Sequence, residues 1–420
     1  MNNSTTRMLR QRISLIVLLT IIFVQMQAQE KITGLFYYDQ SPISIEIRDG
    51  IIFQITRLNK LPEGTPEVFI SPGFFDNQVN GFAGVTFALG GGEDLTLDDV
   101  KKATKELWKY GVTTYMPTTT TNSRELLLKN LAILEKARND TGLYGSIAGF
   151  HMEGPYISPE DGYRGAHPKQ YVRLPDWDEF LQFDNAANHH ILQVTIAPEM
   201  EGALEFISQC SRNGITIALG HHNATAEMVI KAIDRGARIA THLGNGAALT
   251  VNRHRNPFWS QLADDRYSIG IICDGFHLPP EVVKAFFKAK GVDQTILSSD
   301  VTNYGSLPPG YYFSEDGDSI EITPEGKLWN IKQNGLYGSA SPLIIGVGNV
   351  MKFTGCSLAD AVQMASTNPA RFYNLNDRGK LEPGMRADIV TFTLDDYKIK
   401  IHKTWVKGNL VYEAKGNKDE

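Results

Sequence analysis

Cysteine is scarce in this chain, with three among 420 residues: Cys210, Cys273 and Cys356. None sits in a C-x-x-C pair, which excludes a disulfide framework and a thiolate-rich metal site; any metal must be held by histidine and carboxylate. Basic excess is lacking too. Lys plus Arg number 41 against 47 Asp plus Glu, a formal net charge of −6, and without a basic footprint nucleic-acid binding is excluded. Also missing are internal repeats, low-complexity tracts and, past the first thirty residues, any apolar run of the roughly 20 residues that a bilayer requires. What is there, 42% hydrophobic, 21% charged and 10% aromatic residues, rules out a disordered, collagen-like or coiled-coil chain. Its length allows one large core and a smaller satellite domain.

Met1 to Ala28 reads as a secretory signal. Arg7, Arg10 and Arg12 supply the positive start, and Ile13 to Val24 is apolar apart from Ser14 and Thr20. Met26-Gln27-Ala28 then offers a small residue for cleavage. The run is short for a spanning helix, and no cysteine follows it to carry a lipid. The expectation is a soluble, exported, periplasmic protein with no membrane contact once the signal is removed.

From Gly111 onward one grammar repeats: a short β-branched strand, a polar or glycine-rich turn, then a helical stretch. The pattern predicts strands at Val68–Ile70, Val112–Met116, Ile147–Met152, Leu192–Ala197, Ile215–Leu219, Ile239–Thr241, Ser268–Cys273 and Ile296–Ser298. Helices are predicted over Leu97–Lys109, Arg124–Arg138, Ala203–Asn213, Ala226–Gly236 and Pro280–Lys290. Such alternation argues for an α/β fold with a parallel sheet, and eight units fit a closed (β/α)8 TIM barrel over residues 71–378. Residues 29–70 and 379–420 alternate as hairpins do, with turns at Asp49-Gly50 and Lys407-Gly408-Asn409, and should pair into a small β-sandwich. Tyr304–Tyr337, rich in Gly and Pro, reads as a lid or substrate loop.

The polar residues at the predicted strand ends carry the chemistry. Glu153, His221 and His242 each follow a different strand, and strand ends converge on one mouth of a barrel. Two imidazoles and a carboxylate suit one divalent ion, most naturally zinc, with a fourth position left for water. His222 fits the second position by spacing alone, and His151 shares a strand face with Glu153 in a supporting or core role. Asp300, after the last barrel strand, is placed to take a proton from such a water and return it to a leaving nitrogen. Asp274 falls at another strand end. Arg253-His254-Arg255 matches a phosphate by its guanidinium geometry, or is a solvated basic loop.

Several motifs, in order, resemble the amidohydrolase superfamily: Pro72-Gly73-Phe74-Phe75-Asp76, His151-Met152-Glu153-Gly154-Pro155, Gly165-Ala166-His167-Pro168, Ala197-Pro198-Glu199-Met200, Gly220-His221-His222-Asn223-Ala224, Thr241-His242-Leu243-Gly244-Asn245, Asp274-Gly275-Phe276-His277, Ser299-Asp300 and Gly379 to Val390. Within it they are similar to the N-acetylglucosamine-6-phosphate deacetylases. The resemblance implies Glu153, His221 and His242 as metal ligands and Asp300 as catalytic base and acid. It also implies substrate contacts from Ala166, His167, Asn245, Gly246, Arg255, His277, Leu336, Tyr337 and Gly338, and a homodimer in which Arg255 reaches the neighbouring site. Two departures stand out. Many amidohydrolases carry His-x-His after the first strand, whereas this chain has Gln78-Val79-Asn80, and amides are weak zinc ligands, so one metal is expected. Asn245-Gly246-Ala247 replaces the family's usual Asn-Ala-Met. The expected activity is removal of acetate from an N-acetyl amino sugar, phosphorylated or free. Two alternatives are an exported amidohydrolase for N-acyl amino acids or cyclic amides, and an inert sugar-binding protein.

Overall fold

The structure, a computed structural model, describes residues 30–87, 94–314, 317–332 and 334–415. The predicted secretory signal lies outside the described residues. Eight parallel strands form the barrel: β1 (Phe74–Val79), β2 (Val112–Thr120), β3 (Phe150–Glu153), β4 (Ile191–Ile196), β5 (Thr216–Leu219), β6 (Ala237–Ala240), β7 (Ser268–Ile272) and β8 (Thr295–Ser298), each hydrogen-bonded to its sequence neighbour. A parallel bridge between Val79 and Val301 joins the last strand's continuation to the first, with Asn80 N donating to Val301 O at 2.8 Å. The barrel strands are buried along nearly their whole length, as parallel strands covered by helices must be.

The helices stand where the apolar spacing predicts them, at Leu97–Trp108, Arg124–Arg138, Ala203–Arg212, Ala226–Arg235 and Pro280–Lys290. The first is fixed by a capping box: Thr96 accepts from Asp99 N, while the Asp99 carboxylate accepts from Thr96 N at 3.0 Å. That satisfies donors a helix start leaves open.

One predicted barrel strand is misplaced. Val68–Ile70 belongs to the strand Phe69–Pro72, which pairs with Leu35–Phe36 and Ile389–Phe392 outside the barrel. The barrel begins instead at Phe74–Val79. Its Asp76-Asn77-Gln78 reads as loop, yet inside the barrel these side chains find partners: Asp76 Oδ1 accepts from Ser299 N at 3.1 Å, and Asn77 bonds Ser298 and Tyr373 at 2.6 and 2.9 Å.

The two ends of the chain meet in one seven-stranded sheet over a separate core of Ile32, Ile43, Ile45, Ile52, Ile70 and Trp405. Its hairpin turns use left-handed residues, Asp49 and Gly50 at φ 50° and 78°, Lys407 and Gly408 at 49° and 73°, the geometry of a two-residue hairpin. The turns pack together: a Cβ on Gly408 would lie 2.8 Å from Gly50 Cα. The predicted lid, Tyr304–Tyr337, is not a bare loop. It folds into a four-stranded antiparallel sheet from Gly310 to Leu336 over Tyr304, Ile320, Ile322 and Leu328. Among the described residues no helix is long and apolar enough to cross a membrane.

Candidate active site

Glu153 closes β3, and His221, His242 and Asp300 each lie two residues beyond β5, β6 and β8. All three of the latter have left-handed backbones, at φ 52°, 33° and 52°. Non-glycine residues rarely accept that geometry; it costs on the order of 1–3 kcal/mol each and clusters where a site demands a particular direction. Here it turns three side chains toward a single point above the barrel.

Glu153 Oε1 lies 2.8 Å from His242 Nε2 and 3.4 Å from His221 Nε2, and the two ring nitrogens are 3.1 Å apart. Each residue is buried, and each offers one donor atom to a common centre. His221 Nδ1 faces the Tyr163 carbonyl at 2.9 Å; a carbonyl only accepts, so the ring proton sits on Nδ1 and the Nε2 lone pair faces the centre. This donor set fits a divalent ion. Burial opposes charge on Glu153, but the neighbouring His221 and His242 hold it well below the usual carboxylate range.

Asp300 is tied into the same cluster. Gln78 Nε2 donates to Glu153 Oε1 and to Asp300 Oδ1, both at 2.9 Å, and Asn80 Nδ2 donates to Asp300 Oδ1 at 2.7 Å. Burial, and then the Glu153 charge, push the Asp300 carboxyl up to about 6. Deeper in the barrel, burial pushes Asp76 up to about 7.

A cavity of about 230 Å³ opens over these groups. It collects Glu153, His221, His242, Asp300, Ala166, His167, Asn245, Gly246, His277, Leu336, Tyr337 and Gly338, every residue the sequence named for the site except Arg255. That arginine is exposed on the Arg253-His254-Arg255 loop and does not line the cavity. His222 turns away and accepts from Ala224 N. His151 is buried against Thr195 at 2.7 Å and Gln193 at 3.1 Å. Burial, with His221 next, pushes His167 down to about 3. Its Nδ1 accepts from Thr121 N at 3.4 Å, which leaves the proton of the neutral ring on Nε2.

Sequence reasoning named Gln78 and Asn80 only as absent ligands and missed their bonds to Asp300. It also missed Thr86, Thr120, Thr302 and Asn303, which complete the wall. The alternation of Asp76, Gln78 and Asn80 along one strand face was the available signal.

The model of the amidohydrolase family matches residues 69–411. An N-acetylgalactosamine-6-phosphate deacetylase of Escherichia coli O157:H7 is 28% identical over 369 residues, spanning 87% of this chain and 94% of that protein. The N-acetylglucosamine-6-phosphate deacetylase of Mus musculus is 31% identical over 359 residues, spanning 82% and 84%. The crystal structure of N-acetylglucosamine-6-phosphate deacetylase from Thermotoga maritima superposes with a TM-score of 0.79 at 26% identity, covering 92% of this chain and all of that one.

Proposed function

The chain belongs to the amidohydrolase family, and from that premise we propose that it hydrolyses the acetamide of an N-acetyl amino sugar to acetate and the free amine, using one zinc ion held by Glu153, His221 and His242. The relatives named above act on phosphorylated N-acetyl amino sugars, and the sugar here is of that kind, phosphorylated or free. The observation that carries the reading is the meeting of Asp300 with two imidazoles and a carboxylate in one cavity.

When bound, the ion supplies Lewis acidity toward the acetamide carbonyl and makes water acidic near neutral pH. Asp300 Oδ1 is occupied by Gln78 and Asn80, so Oδ2 is the oxygen that takes a proton from the attacking water. The same oxygen gives that proton to the departing nitrogen, which leaves poorly as an anion. His167 donates through Nε2 to the carbonyl oxygen as it gains charge. Asn245 and His277 bind hydroxyls of the sugar or a phosphate on it, and Ala166, Gly246 and Leu336-Tyr337-Gly338 wall off the reacting groups from bulk water.

The test is acetate release from N-acetylglucosamine, its 6-phosphate and N-acetyl amino acids, with zinc supplied and withdrawn. Zinc-dependent turnover of an amino sugar is the expected result; preference for an N-acetyl amino acid, or no turnover of any of them, refutes the reading. Export is part of the proposal and rests on Met1–Ala28: fractionation and N-terminal sequencing should find a periplasmic chain starting near Gln29. So is a homodimer in which Arg255, exposed and outside its own cavity, serves the neighbouring one. A monomer by sedimentation, or an unchanged KM in Arg255→Ala, removes that part.

A further inference from the structure

Asp274 stands at the end of β7, one residue past the buried Cys273, and the mechanism above gives it no task. Its carboxylate is nevertheless fully engaged. Oδ1 accepts from Phe276 N at 2.8 Å and His277 N at 2.9 Å, and Oδ2 accepts from His277 Nδ1 at 2.7 Å. Both side chains are nearly sealed, at 5% and 6% exposure. Burial opposes the Asp274 charge, but the hydrogen bond from His277 and the two backbone donors keep its carboxyl below the usual range.

We infer that Asp274 is a positioning residue that fixes the ring angle and tautomer of His277, reserving Nε2 as the nitrogen that meets a sugar hydroxyl in the cavity. A carboxylate only accepts, so its neighbour Nδ1 must carry a proton, and the other ring nitrogen is left for the cavity that His277 lines. The two backbone bonds anchor the carboxylate to the very turn that carries the histidine, so the ring is held by one hydrogen bond to an acceptor that is itself fixed in place. A hydroxyl both donates and accepts, and is therefore the sugar group that such a nitrogen meets whether or not it is protonated. The inference rests on reading the cavity as an amino-sugar site, but the tautomer part stands apart from it.

Asp274→Asn separates these parts. The amide oxygen can keep the backbone donors, but the amide nitrogen has no lone pair for Nδ1–H, so the ring proton moves to Nε2. Nitrogen-15 spectra of histidine-labelled full-length protein in alkaline buffer, with His277→Gln to assign the resonance, should show Nδ1 protonated in the unaltered chain and Nε2 protonated in Asp274→Asn. No substrate is needed for this. An Nε2–H tautomer in the unaltered protein, or no change in the variant, overturns the inference even if the deacetylase reading holds.

Kinetics then test the hydroxyl. Asp274→Asn and His277→Ala should each raise KM for the amino sugar about tenfold while kcat changes by less than about threefold, the signature of a binding contact. The double variant should be no worse than His277→Ala alone, since Asp274 acts through His277. Multiplying effects would assign Asp274 an independent structural part and overturn the inference. Should Asp274→Asn fail to fold, Asp274→Ala takes its place in the same cycle: it removes the acceptor for Nδ1–H, so the Nδ1-protonated form should no longer be the sole tautomer and the kinetic comparison is unchanged. If the unaltered chain turns over no amino sugar, the functional reading fails while the spectra still decide the tautomer.

Discussion

The carbonyl of Tyr163 accepts a hydrogen bond from His221 Nδ1 at 2.9 Å, and this one contact decides which ring nitrogen can bind a cation. It leaves the Nε2 lone pair facing Glu153 and His242, and such outer bonds orient metal-binding histidines generally. The three-donor centre is therefore set by the loop that carries Tyr163 as well as by the strand ends.

Metal binding should follow from these three side chains alone. Purified His221→Ala and His242→Ala should retain the fold by circular dichroism and lose their zinc, whereas the unaltered chain should carry close to one ion. Treating the unaltered enzyme with chelator should abolish turnover, and zinc should restore it. Full zinc occupancy in either histidine variant would show that the ion sits elsewhere.

Asp300→Asn keeps the shape of the side chain and its bonds from Gln78 and Asn80 can partly reform, so metal content should stay normal. Turnover should fall about 10²–10⁴-fold, the usual worth of a positioned acid–base group. Elemental analysis beside steady-state kinetics checks both halves. An active Asp300→Asn protein with its metal in place would remove the assignment.

The meeting of Glu153, His221, His242 and Asp300 in one cavity was legible in the sequence because alternation of strand and helix fixes where strand ends fall, and all four follow β-branched or apolar strands. The first barrel strand was not legible. Phe74 to Val79 carries Asp76, Asn77 and Gln78 in its middle, and only the polar interior of the barrel, with Ser298, Ser299 and Tyr373, makes them acceptable there. Gln78 was recognised as a poor ligand, but its bridge between Glu153 and Asp300 spans 75 and 222 residues of sequence, beyond any local pattern. The Gly- and Pro-rich excursion likewise concealed a sheet, since its apolar positions Tyr304, Ile320, Ile322 and Leu328 become a core only after folding back on one another.

The joint between the two parts of the molecule rests on a buried ion pair. Arg386 Nε donates to Asp388 at 2.9 Å and Arg386 Nη1 to Gly145 O at 3.1 Å, while Asp388 also accepts from Lys407 N at 2.8 Å. The two side chains are only 7% and 2% exposed. Arg386→Ala leaves a carboxylate buried without its cation, and breaking such a pair typically costs about 3–5 kcal/mol. Denaturant unfolding should register that loss, and Arg386→Ala with Asp388→Ala together should be less damaged than the sum of the two single changes. Additive losses would mean that the two residues are not coupled.

Gly246 presses on the ring of His221, one of the three side chains that could hold a metal. Its φ is +57°, and a Cβ there would sit 2.7 Å from His221 Nδ1 and 3.0 Å from Cε1. The ring has nowhere to go. On another side a Cβ on Gly165 would already be 3.1 Å from Cε1, and Nδ1 is bonded to Tyr163. Gly246→Ala should therefore push His221 off its carbonyl and weaken zinc binding by about 10–100-fold, the usual effect of disturbing such an orienting bond. The backbone alone adds on the order of 1–2 kcal/mol, since a left-handed residue resists a side chain. Gly162→Ala is the control: its φ is +88°, but the nearest atom to its Cβ is Ala248 Cα at 3.5 Å. Competition titration with a zinc chelator and thermal unfolding should find both variants somewhat less stable and only Gly246→Ala impaired in zinc affinity. Equal impairment would trace the effect to backbone strain and not to the imidazole.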